Sequence, residues 1–296
     1  MNHILNKFSF LLIVTFSSVC LSGEKVSRTM QVDAQGIVFV EIPRGLVKIK
    51  GWNKNEVMIQ GELDDTIKNL IFKNKKSKTL IKVDTEGKKH WGDVSILNIY
   101  MPQSAQLRFK GIDTSFSIAK LTSHIEGKSI NGNLMIRKSN GKIKLSVVSG
   151  DVKVADSSGI MKVESVSGSV NFSGDFDKAY LKSMSGDIIG DISGMNELTI
   201  KNISGDTQIR GSVKSKSHLN ISSVSGDVYY KVTGDLNAAC EVVSQFGGDI
   251  NNELTDDLPE EASLHKKTLS FVSGDGSGEL NLKTVTGSVT IEKAIN

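Results

Sequence analysis

The chain has 296 residues, 38% hydrophobic and 23% charged, with a formal net charge of +3. That composition excludes a disordered chain, and so small a net charge gives no basis for nucleic-acid binding. Three prolines and 28 glycines suit many short strands joined by turns.

Lys7 precedes an apolar run from Phe8 to Val19, with small residues at Ser22 and Gly23. The pattern predicts a signal peptide over 1–23, and the run is short for a membrane span. Cys20 offers an alternative, lipidation, but Val19 before it is a poor fit to the usual small residue. Membrane contact is expected only through such a lipid. With the leader removed, Cys240 alone remains. It sits between Ala238-Ala239 and Val242-Val243 and reads as a buried core thiol, so no internal disulfide is available.

Residues 24–110 alternate polar and apolar over Ile37 to Ile42, Leu46 to Lys50, Glu56 to Gln60, Leu80 to Val83, Val94 to Tyr100 and Leu107 to Lys110. Each stretch predicts a strand. The region is either a capping β module or the opening coils of the domain over 111–296. The basic run from Lys73 to Lys78 reads as a solvated hairpin tip. His90 beside Trp91 reads as a turn histidine, with a place lining a binding spot as the alternative.

From 111 to 296 a phrase recurs: hydrophobic-Ser-Gly-Asp-hydrophobic. It stands at Val148–Val152, Val166–Val170, Met184–Ile188, Ile203–Thr207 and Val224–Val228, with looser copies around Gly132, Gly248 and Gly287. The glycines step by 18, 18, 18, 19, 21, 22 and 39 residues, the last about two ordinary steps. So fixed a period marks a repeat architecture. Five residues before each glycine stand Leu145, Val163, Leu181, Ile200 and Ile221; two before stand Val148, Val166, Met184, Ile203 and Val224; two after stand Val152, Val170, Ile188, Thr207 and Val228. All three rows are read as interior, so Val166→Asp or Ile203→Asp is expected to unfold the chain. Gly186 is expected to hold a corner at positive φ, and Gly190, outside the corner phase, to tolerate Val better.

A unit of 18 to 22 residues is too short for a strand-helix-strand crossover and poor in helix formers. The prediction is an all-β fold: a parallel β-solenoid, right-handed and β-helix-like, with an N-terminal β capping region. The left-handed hexapeptide helix ranks second, because its six-residue apolar period is absent. Strands of successive coils lie about 4.8 Å apart, so eight coils make a rod about 40 Å long. Residues 251–267 interrupt the register with Thr255-Asp256-Asp257-Leu258-Pro259-Glu260-Glu261 and read as an excursion from the rod.

These features together resemble the bacterial "putative adhesin" family of unknown function. The resemblance rests on Gly45-Leu46-Val47-Lys48-Ile49-Lys50-Gly51-Trp52, on Val57-Met58-Ile59-Gln60-Gly61 and on a strand ending at Met101-Pro102. It is completed by the serial Ser-Gly-Asp coils and the closing Gly274-Asp275-Gly276-Ser277-Gly278. It spans nearly all of the chain after residue 23 and implies a β-solenoid-like envelope domain with no catalytic residues to carry over. The sequence departs from the pattern at Ser169 and Ser288, where Asp is expected.

The candidate chemical feature is the Asp ladder: Asp151, Asp187, Asp206, Asp227 and Asp249. Its first reading is turn chemistry repeated with the coil. The second is calcium bridging, which would make a calcium-stiffened structural rod, although Asn133 and Ser169 interrupt the row and the calcium-binding nonapeptide is absent. The Ser row at 149, 167, 185, 204 and 225 is expected to stack hydrogen bonds at the corner. His90, His124, His218 and His265 show no metal spacing, and no cofactor motif is present. The expected function is an exported, non-enzymatic surface or scaffold protein of the periplasm, cell envelope or exterior, adhesin-like, with an envelope glycan or envelope protein as partner. A β-helix polysaccharide lyase or glycoside hydrolase is the alternative. Ligand identity and oligomeric state are left open.

Overall fold

The computed structural model describes residues 24–64, 67–85, 94–263 and 265–294. The leader over 1–23, with Cys20, and the pair His90-Trp91 lie outside the described residues. Those described contain strands and turns and no helix. Successive coils stack as parallel strands, and the apolar rows pair in register: Leu145 with Val163, Val163 with Leu181, Leu181 with Ile200, Ile200 with Ile221. The protein is therefore a parallel β-solenoid with two main faces. A long face precedes each corner glycine, and a short face follows it.

The N-terminal region contributes both coils and a cap. Strand Ile37–Trp52 is itself a coil, lying parallel to Gln106–Ala119 across both faces. Lys78–Thr85 and Ser95–Pro102 add one further parallel strand to each face. Beyond them the pairing turns antiparallel. Ile67–Lys75 closes the long face, and Glu56–Leu63 followed by Glu24–Gln31 closes the short one. Hairpins at this end cover a ladder that would otherwise template further strands. The basic run from Lys73 to Lys78 spans the tip of one of them, with Lys76 at φ 56°.

The far end is out of chain order. The final coil, strands Gly278–Thr286 and Val289–Lys293, does not stack on the coil that precedes it in sequence. It lies between His218–Ser225 and Ala238–Ser244 on the long face, and between Val228–Leu236 and Ile250–Asn252 on the short face. The 39-residue step is not two ordinary coils: it holds a loop and the hairpin of Glu260–Ser263 and Lys266–Ser273, after which the chain returns to insert its last coil. Segment 251–267 connects Ile250–Asn252 to a hairpin, in which Glu260–Ser263 pairs antiparallel with Lys266–Ser273. That hairpin closes the long face against Ala238–Ser244.

The core fills the space between the faces. Leu145, Val163, Leu181, Ile200, Ile221 and Leu282 are buried in one column, and Val152, Val170, Ile188, Val228 and Val289 in another. Cys240 is buried, and desolvation pushes its thiol up to about 12, so it packs as a small hydrophobe.

One row must be corrected. Val148, Val166, Met184, Ile203 and Val224 are not interior; Val166 is 43% exposed and Ile203 42%. The strand alternation runs unbroken to the residue three before the glycine, and the parity break falls at the corner itself. The interior row there is polar: Ser165, Ser183, Asn202, Ser223 and Thr284 are all buried. Several of these donate to corner carbonyls. Asn202 Nδ2 reaches the Gly186 and Gly205 carbonyls at 3.2 and 2.9 Å, and Thr284 Oγ1 reaches the Gly226 carbonyl at 3.1 Å. The stacking role expected of the exposed Ser row falls partly to these buried side chains.

The corner glycines carry φ between +106° and +135° from Gly150 to Gly226. A Cβ at Gly186 would also fall on the carbonyl oxygen of Gly168 in the preceding coil. The expectation that Gly190 tolerates Val better does not hold. A Cβ there would strike the Phe172 ring and the Ile209 side chain, so both positions require glycine for want of space.

Candidate functional site

A shallow groove of about 490 Å³ crosses five coils of the short face. Its outer rows follow the strand register. One runs Lys153, Asn171, Ile189, Gln208, and the other pairs Ser173 with Asp191, Asp191 with Arg210 and Arg210 with Lys231. The column between them points inward: Val154, Phe172, Gly190 and Ile209. Small residues set the depth. Ala155, Ser173 and Gly190 leave space that the longer Lys153, Arg210 and Lys231 surround. Ile189, 43% exposed, gives the groove an apolar centre.

On the long face some outward side chains of neighbouring coils pair, Lys144 with Glu126 at 3.3 Å and Lys178 with Glu197 at 2.7 Å, while Lys182 and Lys201 do not. The Lys144 hydrogen bond holds the Glu126 carboxyl below the usual carboxylate range. In the groove Lys231 is engaged by Glu292 at 2.8 Å. The side chains of Lys153, Asn171, Asp191, Gln208 and Arg210 have no hydrogen-bond or ion-pair partner among the described residues. Asp191 and Arg210 are register neighbours and still do not pair. Five polar heads of both charges, unspent and gathered around an apolar centre, suit a polar ligand with some carbon surface.

The Asp ladder lies at the corner, beside the groove and not in it. Four of the five carboxylates link coils, and Ser169 breaks the row, its hydroxyl having no partner among the described residues. Asp151 Oδ1 accepts the Ser169 N–H, Asp187 Oδ1 that of Asp206, and Asp206 Oδ1 that of Asp227, each at 2.9 Å. Asp227 Oδ1 accepts the Ser288 N–H at 2.8 Å, and Ser288 Oγ that of Asp249 at 3.2 Å, following the inserted order of the last coil. Asn133 serves the same role for the Asp151 N–H at 2.9 Å, so an acceptor oxygen is what the position needs and a charge is not. Asp249 also pairs with Lys267, and the Tyr229 hydroxyl donates to Asp227 Oδ2 at 3.1 Å. Among the described residues no three His, Cys, Asp or Glu side chains gather as a metal would require. Converting Asp187 and Asp206 together to Asn is therefore expected to leave the melting temperature nearly unchanged, with or without calcium or EDTA. Asp206→Val strands the Asp227 N–H and should cost about 1 kcal/mol. A melting rise with calcium that the double change abolishes would show bound metal at the corner.

The sequence reading missed the groove because none of its polar residues belongs to the repeated phrase. The available signal was the reverse: outward positions three and five after each glycine, where the repeat does not dictate the residue. The histidines stand apart, with His124 bonded to the Lys142 carbonyl at 3.0 Å and His218 to Glu279 at 3.1 Å.

Several solved structures are similar to this chain, and three serve as examples. A "putative lipid binding protein" from Parabacteroides distasonis ATCC 8503 is 12% identical with TM-score 0.50, covering 92% of this chain and 98% of that one. A "putative adhesin" from Parabacteroides merdae ATCC 43184 is 13% identical with TM-score 0.49, covering 92% and 97%. A "putative adhesin" from Bacteroides fragilis NCTC 9343 is 13% identical with TM-score 0.41, covering 91% and 98%. At 12% identity the likeness to the first of them concerns the fold alone. No curated protein matches the chain. The pattern of the family described as Toastrack DUF4097 matches residues 43–292, taking in the N-terminal coils, the Ser-Gly-Asp coils and the inserted last coil. The chain belongs to the Toastrack DUF4097 family.

Proposed function

We propose that this protein is exported to the cell envelope and binds a glycan there, through the groove on the short face, without catalysing a reaction. The observation that carries the reading is the set of five unpaired polar side chains around Ile189. Amide, guanidinium, ammonium and carboxylate groups together match the mixed donors and acceptors of sugar hydroxyls, and Ile189 suits the carbon face of a ring. Export rests on Lys7 and the apolar run from Phe8 to Val19. Asp191 is the one carboxylate lining the groove, where a retaining or inverting pair needs two, and this favours binding over hydrolysis.

The test is calorimetric titration of the full chain with purified cell-wall glycan and with lipopolysaccharide-derived polysaccharide. Binding of one of them is expected, with Asn171→Ala plus Arg210→Ala weakening it at least tenfold, on the order of two lost hydrogen bonds. The melting temperature should hold, because neither side chain bonds within the protein. Lys142→Ala on the long face should have no effect. Absence of binding to either polysaccharide, or equal binding by the groove variant, would sink the reading.

A further inference from the structure

The exposed apolar row forms a surface. Along the corner edge the rungs run Ile112, Ile130, Val148, Val166, Met184, Ile203 and Val224, each between 42% and 50% exposed. The inserted last coil then places Val285 beside Val224 and, next in order, Phe246, which is 63% exposed. Nine rungs at strand spacing make a ridge about 38 Å long. Exposing on the order of 70 Å² each, they form a strip of about 600 Å², the upper end of what monomers leave bare and a size that marks interaction sites.

The flanks of the ridge carry opposite charge. On the long-face side, two residues before each rung, stand Lys110, Lys128, Ser146, Glu164, Lys182, Lys201, Ser222 and Lys283, and at the last rung the buried Ser244. On the corner side stand Asp151, Asp187, Asp206 and Asp227. Lys182 and Lys201 are direct ladder neighbours, as are Asp187 and Asp206. Like charges stacked at this spacing repel. Neither lysine forms an ion pair among the described residues.

We infer that two copies of this chain associate side by side through this ridge, about a twofold axis parallel to the rod. That symmetry sets ridge against ridge with each coil facing its own counterpart. It also brings the lysine row of one copy against the aspartate row of the other, Lys182 toward Asp187 and Lys201 toward Asp206 of the second copy, and the reverse. A twofold axis perpendicular to the rod, lying in the interface, would instead set lysine against lysine. With the flanking Ser, Lys and Asp rows added, each copy covers about 800 Å², the size of a standard stable interface. The inference is independent of the groove, which lies on the short face.

Sedimentation of the full chain across concentration should show a dimer. The double variant Val166→Glu, Ile203→Glu should be monomeric and melt as the dilute, dissociated wild-type chain does, since both positions are half exposed in the single copy. Asp187→Asn with Asp206→Asn, which keeps the acceptor to the next coil, should weaken association about tenfold, the effect of removing charge partners. In a Cys20→Ser background, Met184→Cys, Ile130→Cys and Val224→Cys should each cross-link to itself in oxidising buffer, with buried Cys240 taking no part. Cross-linking at Met184→Cys alone would mean an antiparallel pair and overturn the stated symmetry. A chain that stays monomeric up to about 0.2 mM, an association free energy weaker than about −5 kcal/mol, would overturn the inference, as would a dimer that survives the double Glu variant. Binding of the monomer to phosphatidylglycerol vesicles through the ridge would assign it to a lipid surface instead.

Discussion

Ile200→Asp is expected to unfold the protein, while Ile203→Asp, three residues on in the same strand, should leave the melting of a monomeric sample almost unchanged. Ile200 is completely buried between Leu181 and Ile221 in the central column, and a carboxylate there has no partner and no water. An unpaired buried charge costs several kcal/mol, a large share of the roughly 5–15 kcal/mol that holds a domain folded. Because each coil stabilises only its neighbours, the break should spread along the rod. Ile203 is 42% exposed, and Asp in that position keeps its hydration. Urea denaturation of the two variants by circular dichroism gives the comparison. Equal destabilisation at both positions would place the parity break before the corner and contradict the buried Asn202 beside Ile203.

A chain ending at residue 277 is expected to lose its far end as a unit. Strands Gly278–Thr286 and Val289–Lys293 are the only parallel link between coil 218–232 and coil 238–252 among the described residues. Without them Ala238–Ser244 loses one ladder partner, and the hairpin of Glu260–Ser263 and Lys266–Ser273 loses its anchor to the rod. Limited proteolysis should then cut from about Gly234 onward, leaving the N-terminal coils protected, and the freed strand edges should promote aggregation. The repeat offers one escape. The 22-residue step from Gly226 to Gly248 matches ordinary coil spacing, so coil 238–252 has the length to close directly onto coil 218–232. Full protease protection of the truncated chain would show that it does so, and that the inserted order is not required for a stable end.

Much of this was written in the sequence. The Ser-Gly-Asp phrase carries the period, and the period sets the parallel stack, since Leu145, Val163, Leu181 and Ile200 fall in register only when coils of 18 and 19 residues lie one on the next. The corner glycines announced themselves because no other residue fits both a positive φ and a carbonyl of the preceding coil at Gly186. The Asp row was legible as side chains that bond backbone at the corner, but the expected partner was each Asp's own turn, and the structure shows the next coil instead, with Asn133 and Ser288 as equivalent acceptors.

Three features were decided only by the tertiary structure. Hydrophobicity alone assigned Val166 and Ile203 to the core, because a corner that hydrogen-bonds its own carbonyls inverts the usual rule and buries Asn202 in their place. The insertion of the last coil is invisible to a linear repeat, because backbone ladder bonds are chemically alike in every coil and the sequence does not say which coil meets which. The groove depends on residues of four coils, Lys153, Asn171, Asp191 and Arg210, that are nearly twenty positions apart in the chain and become one site when the rod stacks them at strand spacing. Period and coil length are local properties of a sequence, whereas inside against outside at a corner, and which coil lies next to which, are settled by where the backbone's hydrogen bonds find partners.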